Sequence, residues 1–271
     1  MPQALTERQR HEQEYHRGFA LSHSECVNQD VAQNIISPGP RRWWNAFWSM
    51  YDRILAVGVA GKRVLIPGCG FGEDAIRISY LNAKVSAFDL SPEVIGIAKR
   101  RAAKLGQRDV DFRVMASESL EYPDCLFDLV LFVDILHHVD IPAAMREVRR
   151  VLKPGGMVIG DELYTYSAVQ CVRDSRFIAR GVYPLMRHWI YGSDTPYITE
   201  DERKINENEF QIIRDSLVNC EADYFGMLEG RLFPNSMTWA ARLDRMAMRA
   251  AGRIAPFLAG RVVFSGEVRK S

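Results

Sequence analysis

Between Lys62 and Asp161 the sequence repeatedly exchanges a short apolar run for a helical pattern, and this alternation constrains the fold more than any other feature. Val64–Ile66 is apolar, and Glu73–Leu81 then carries Ala75, Ile78 and Leu81 on one helical face. Val85–Asp89 is a second apolar run. Ser91-Pro92-Glu93 opens the next helix with a serine cap, proline at the first position and an acid in the first turn, and Gly106 closes it. Val110–Val114 alternates, and Leu129–Val133 is continuously apolar, as in a strand covered on both faces. Ile141, Ala144, Met145, Val148 and Leu152 share one side of a helix that Lys153-Pro154-Gly155-Gly156 ends, and Met157–Ile159 is a fifth strand. Strands separated by helices pair in parallel and are covered on both faces, so the spacing predicts a doubly wound α/β sheet.

Residues 5–21 are charged, with Tyr15, Phe19 and Leu21 as sparse apolar points, which predicts a solvated helix. Ser37-Pro38-Gly39-Pro40 is a break. After it, Trp44, Phe47, Trp48, Tyr51 and Leu55 form one helical stripe, read either as core packing or as an aromatic wall over a substrate pocket. Beyond Asp161, residues 162–207 carry no strand signal, and a connection of that length is expected to be a lid or binding insertion. Phe210, Ile213 and Leu217 mark a helix, Tyr224–Leu228 and Val262–Val268 read as closing strands, and Thr238–Leu258 reads as an arginine-rich helix between them. The domain division is an N-terminal helical cap over 1–56 and a core over 57–271, with insertions at about 162–207 and 230–260.

The chain has 271 residues, of which 47% are hydrophobic and 25% charged, a length that buries a substantial core. A net charge of +1 and the lack of a basic-aromatic tract argue against nucleic acid as partner. Five scattered cysteines without a C-x-x-C pair, a polar N-terminus, and no apolar run near the roughly 18 residues of a membrane helix predict a cytoplasmic protein with reduced thiols and no metal framework. A monomer or homodimer is expected.

Chemistry is concentrated where the first strand ends. Gly68-Cys69-Gly70-Phe71-Gly72 follows Pro67 and leads directly into a helix. A dinucleotide fingerprint needs a small third residue where this chain has Glu73, and Glu73 and Asp74 would face a pyrophosphate at the helix N-terminus. A P-loop is excluded because no G-K-[ST] follows. Glycines followed by acids suit a ligand with positive charge and no phosphate.

With these motifs, residues 62–161 resemble a class I S-adenosylmethionine-dependent methyltransferase. The glycine loop resembles that family's first motif. Asp89 lies 17 residues past Gly72 (89 − 72) and ends the second strand as the family's ribose-binding acid does. Phe127–Val130 through Leu136-His137-His138-Val139 resembles the fourth-strand motif, and Leu152–Gly156 resembles the turn before strand five. The chain departs from the pattern at Ile66 and at Ala116, where many relatives carry acids; Ser117 and Glu118 stand next to the latter.

The resemblance implies a Rossmann-like, mostly parallel seven-stranded sheet, with an N-terminal helical cap and a helical insertion after strand five. It implies S-adenosylmethionine held by Pro67, Gly68, Cys69, Gly70, Gly72, Asp74, Asp89, Leu90, Ser117, Glu118, Asp134 and His138. It also implies methyl transfer to a small molecule, most simply at oxygen. His137 or His138 is the candidate general base, since only one of two adjacent side chains can face the pocket. The Asn/Asp-Pro-Pro-aromatic run of nucleobase amino methyltransferases is replaced by Asp134-Ile135-Leu136-His137. Tyr15, Trp44, Trp48, Tyr164 and Tyr191 are candidates for the substrate pocket. The alternative is a protein of the same fold that binds the cofactor without transferring methyl. The arginine-rich Thr238–Leu258 segment allows contact with a membrane surface, though a helix covering the sheet edge is the simpler reading.

Overall fold

The computed structural model describes residues 5–182, 204–229, 231–234 and 236–269. Seven strands form one sheet in the order β3-β2-β1-β4-β5-β7-β6. β1 (Arg63–Pro67), β2 (Lys84–Asp89), β3 (Asp111–Val114), β4 (Phe127–Val133) and β5 (Leu152–Leu163) pair in parallel. β7 (Arg261–Val268) runs antiparallel to both β5 and β6 (Leu217–Phe225). The expected doubly wound, mostly parallel sheet is therefore present.

Helices cover both faces. α3 (Glu73–Ser79) and α4 (Pro92–Lys104) follow β1 and β2, and α5 (Ile141–Val151) follows β4. Ser91 accepts from the Val94 amide at the start of α4, and Asp140 does the same for Ala143 at α5, so both helices begin on side-chain caps. One face of the sheet packs Leu65, Val130, Phe132 and Phe264 against α5, and the other packs Val64, Ile66, Leu129 and Val263 against α2 (Ala46–Val57), α3 and α4. Alternate residues of each strand thus serve opposite layers, as the pleat requires.

Several boundaries differ from the sequence reading. Lys153–Gly156 does not separate α5 from the strand: β5 already begins at Leu152, opposite Phe127, and the register slips before Met157 pairs with Leu129. Leu217 starts β6 and does not end a helix; the helix here is Glu207–Asp215, and a register shift after Val218, with Asn219 at φ +52°, hides the strand's alternation. The arginine-rich helix stops at Ala251, because Gly252 takes a positive φ of 51° and a short helix, Ala255–Leu258, follows. After β5 come α6 (Ser167–Arg173) and a short π-helix at Ile178–Val182.

At the N-terminus, α1 (Glu7–Ser22) carries a full capping box between Thr6 and Gln9. It lies across the carboxyl ends of the strands. A buried arginine anchors the segment that follows: Arg101 of α4 donates to the carbonyls of Gln29 and Asp30 and pairs with Glu73.

Candidate functional site

In an open α/β sheet, ligands bind outside the carboxyl ends of the strands where the strand order reverses. Here the chain runs from β1 outward to β3 and returns on the other side of β1 as β4, so the reversal lies between β1 and β4. Three loops meet there. Gly68, Gly70 and Gly72 all take positive φ (60°, 50° and 79°), which explains glycine at alternate positions. A Cβ on Gly68 would stand 2.4 Å from the Ile135 side chain, and one on Gly72 would press on Phe112 at 3.0 Å, so both keep the loop flat against its neighbours. A Cβ on Gly70 would meet nothing within 4 Å. That side of Gly70 is open, next to the Asp89 carboxylate that accepts its amide.

Asp89, buried at the end of β2, fixes the loop. One carboxylate oxygen accepts from the Gly70 amide at 3.1 Å and the other from the Ser91 amide at 3.1 Å. A carboxylate has about four acceptor positions, so lone pairs remain on both oxygens for donors in the cleft. Asp89, Gly68, Phe88, Leu90, Met115, Ala116, Ser117, Glu118, Ile135 and His138 line a cavity of about 60 Å³ roofed by Gln9, Glu12 and His16 of α1. It adjoins a wider groove of about 520 Å³ that shares Gln9, Leu90, Met115, Ala116 and Glu118.

The two histidines after β4 point different ways. His137 is buried, and its Nδ1 lies 3.0 Å from Glu162, which also accepts from the Ile135 and Leu136 amides. Glu162 therefore shapes the turn from beneath. His138 faces the cleft, with Nδ1 3.0 Å from Oε1 of Glu12. The other Glu12 oxygen lies 3.5 Å from Nε2 of His16. Burial alone would raise the Glu12 carboxyl, but hydrogen bonds from His138 and His16 outweigh it and hold the group down at about 2. Burial would lower His16; its hydrogen bond to Glu12 and the Asp89 charge raise it above 6.5 instead. Neither Glu12 nor His16 is apparent as a site residue in the sequence. Their only signal is the i, i+4 Glu-His spacing on an otherwise polar helix.

Other sequence candidates already have partners within the protein. Glu73 and Asp74, which argued for a cationic ligand, are already matched by cations: Glu73 pairs with Arg101 at 3.1 Å, and Asp74 with Arg77 and the Tyr51 hydroxyl. Their charge is spent within the protein. Glu118, next to Ala116, accepts from Arg8, Gln9 and the Asp140 amide, so it ties α1 to the core. Asp134, at φ +49°, receives Arg261 on both oxygens at 2.7 Å. Asp134, His137 and Glu162 bring donor atoms within 4.8 Å of one another, but the Arg261 guanidinium already supplies that corner with positive charge. Burial raises the Cys69 thiol well above its ordinary range, so it stays protonated beside the loop.

Among the aromatic candidates, Tyr15 is partly exposed on α1 with its ring edge-on to His16. Tyr164 is buried in the core between Phe210 and Tyr224. Trp44 and Trp48 line a separate cavity of about 690 Å³ with Arg41, Arg42 and Arg242, outside the Asp89 cleft. Tyr191 lies outside the described residues.

A glycine loop held by a strand-end carboxylate at the sheet's reversal point is the arrangement expected from the resemblance to class I S-adenosylmethionine-dependent methyltransferases. A methyltransferase-domain family matches residues 65–160 of this chain. Similar curated proteins include the ubiquinone biosynthesis O-methyltransferase of Methylocella silvestris, 34% identical over 113 residues (41% of this chain, 44% of that protein). The 27-O-demethylrifamycin SV methyltransferase of Amycolatopsis mediterranei is 38% identical over 133 residues (45% and 48%). The chain thus spans about half the length of the curated relatives it matches. Among solved structures, geranyl diphosphate C-methyltransferase of Streptomyces coelicolor A3(2), in complex with Mg2+, geranyl-S-thiolodiphosphate and S-adenosyl-L-homocysteine, superposes with a TM-score of 0.60 at 15% identity, covering 99% of this chain and 100% of that one. The [4+2]-cyclase SpnF gives 0.57 at 18% identity over the whole of both chains. At these identities the likeness is one of fold.

Proposed function

We propose that this chain is an S-adenosylmethionine-dependent methyltransferase acting on a small molecule at oxygen. Two features fit the cofactor. The open side of Gly70 lets a ligand approach the backbone, and the free lone pairs of Asp89 suit a pair of ribose hydroxyls. Gly68, Asp89, Leu90 and Ser117 would hold it, beside the open face of Gly70, with Met115 and Phe88 as apolar walls. Bound there, the cofactor supplies an electrophilic methyl on a sulfonium. The protein's part is to orient the acceptor and keep water out.

The observation that carries oxygen as the target is the His138–Glu12 pair. A base is needed when the acceptor atom still holds its proton near neutral pH. His138 faces the cleft, and Glu12 fixes its Nδ1, leaving Nε2 to take a hydroxyl proton while the carboxylate offsets the charge gained. Two relatives are named for oxygen methylation, which agrees with this reading. The test is turnover of labelled S-adenosylmethionine against a pool of phenolic and aliphatic alcohols. His138→Ala is expected to lower the rate roughly 100-fold, in the range of general-base catalysis. His137→Ala is expected to act through stability, since it empties the buried partner of Glu162. An unchanged rate in His138→Ala would remove the base, and cofactor binding without any methylated product would favour the non-methylating alternative.

A further inference from the structure

The Thr238–Ala251 helix buries Ala240, Ala241, Asp244, Arg245 and Met248 against the sheet's last strands. Arg245 donates to Asp223 and to the Tyr224 carbonyl, and Asp244 accepts from the Leu228 amide, so the polar residues of this helix are partly turned inward. The outward stripe is apolar. Trp239, Leu243 and Met246, at i, i+4 and i+7, are 64%, 56% and 57% exposed. Past Gly252 the exposed apolar run continues through Ile254 and Phe257, at 58% and 46%. Soluble helices reverse this arrangement, and contiguous exposed apolar surface marks an interaction site.

We propose that this face docks the protein on a bilayer that carries anionic lipid. Charge favours that occupant. Arg242 and Arg249 flank the stripe, with guanidinium groups 4.2 Å from the Trp44 ring and 5.0 Å from the Trp43 ring. Arg253 is exposed at its end, and the helix's only acid, Asp244, is buried and faces inward. The chain as a whole has a net charge of +1, so this positive edge is local. A second copy of the chain is disfavoured as partner, because a two-fold contact through the stripe would bring these arginines against their own copies. A lipid surface matches both parts: apolar side chains enter the acyl boundary while arginines and indoles remain among the headgroups. The cavity of about 690 Å³ between Arg242 and Arg41, Arg42 and Trp48 lies beside the stripe and offers an anionic headgroup a seat. The proposal does not depend on the methyl-transfer reading.

The test is co-sedimentation of the full chain with vesicles of phosphatidylcholine alone or mixed with phosphatidylglycerol. The wild type is expected to pellet with the anionic vesicles and at least tenfold less with the neutral ones. The double variant Leu243→Asp, Met246→Asp changes only exposed side chains, so its melting temperature should match wild type while its vesicle partition falls at least tenfold. Arg242→Glu is expected to weaken binding to anionic vesicles selectively. The proposal is overturned if the wild type stays in the supernatant with anionic vesicles, or if the double variant pellets as wild type does. It is also overturned if the stripe variants abolish a wild-type dimer in sedimentation velocity without any vesicle binding, which would make the face a self-interface.

Discussion

Gly68 and Gly70 sit two residues apart in the same loop and do different work. Both hold positive φ, so alanine at either incurs left-handed strain of about 1–2 kcal/mol. At Gly68 the added Cβ also overlaps Ile135 at 2.4 Å, and overpacking of that kind adds roughly 1–3 kcal/mol. At Gly70 the added carbon meets no atom within 4 Å. Gly68→Ala is therefore expected to lower the melting temperature distinctly more than Gly70→Ala, as chemical or thermal unfolding will measure. Gly70→Ala should instead impair S-adenosylhomocysteine binding, with the affinity reduced at least roughly tenfold, equivalent to about 1.4 kcal/mol. Equal effects of the two variants on both readouts would contradict the distinct roles. The sequence makes all three glycines legible, because apolar strand, alternate glycines and helix occur in one short run. It does not make Glu12 and His16 legible. Their role depends on α1 folding back across strand ends more than 70 residues away in sequence, as the Gln13 side chain does in reaching the Leu90 carbonyl.

At the scale of elements, α1 is more than the solvated helix its composition predicts. Besides Glu12, it is fastened by Gln13 to Leu90 and by Arg8 and Gln9 to Glu118. Its grip follows pH in a stated direction. Glu12, lowered from 4.5 to about 2, contributes fully above 4.5 and loses its contribution as pH falls toward 2. His16, raised above 6.5, contributes fully below 6.5 and loses its contribution as pH climbs through the raised value. Both are in full effect between 4.5 and 6.5. Amide exchange across Glu7–Ser22, corrected for intrinsic rates, should be slowest in that window and several-fold faster at alkaline pH. Glu12→Gln should flatten the profile; a wild-type profile already flat would show that the histidine contacts do not hold the helix. In the parallel half, β1 and β4 are legible as short apolar runs, and β3 as an alternating one. The start of β6 is hidden because its register shift near Asn219 breaks the period-two pattern, and the start of β5 is hidden because Pro154-Gly155-Gly156 resembles a helix terminator.

At the scale of the whole molecule, the sheet divides the work. Its β1–β4 side builds the Asp89 cleft under α1, and its β7–β6 side carries the helix whose exposed stripe faces outward. Among the described residues no helix is long and apolar enough to cross a membrane. Of the aromatic candidates for a substrate pocket, Tyr164 lies in the core, Tyr15 on α1, and Trp44 and Trp48 at the arginine-lined cavity, while Tyr191 lies outside the described residues. The central claim is that the Asp89 cleft holds the cofactor, and calorimetric titration with S-adenosylhomocysteine tests it most directly. A single saturable site is expected in the wild type, weakened at least roughly tenfold in Asp89→Ala, where the carboxylate that positions the Gly70 amide and would meet the ribose is gone. Absence of binding in the wild type, or equal affinity in a folded Asp89→Ala variant, would contradict it.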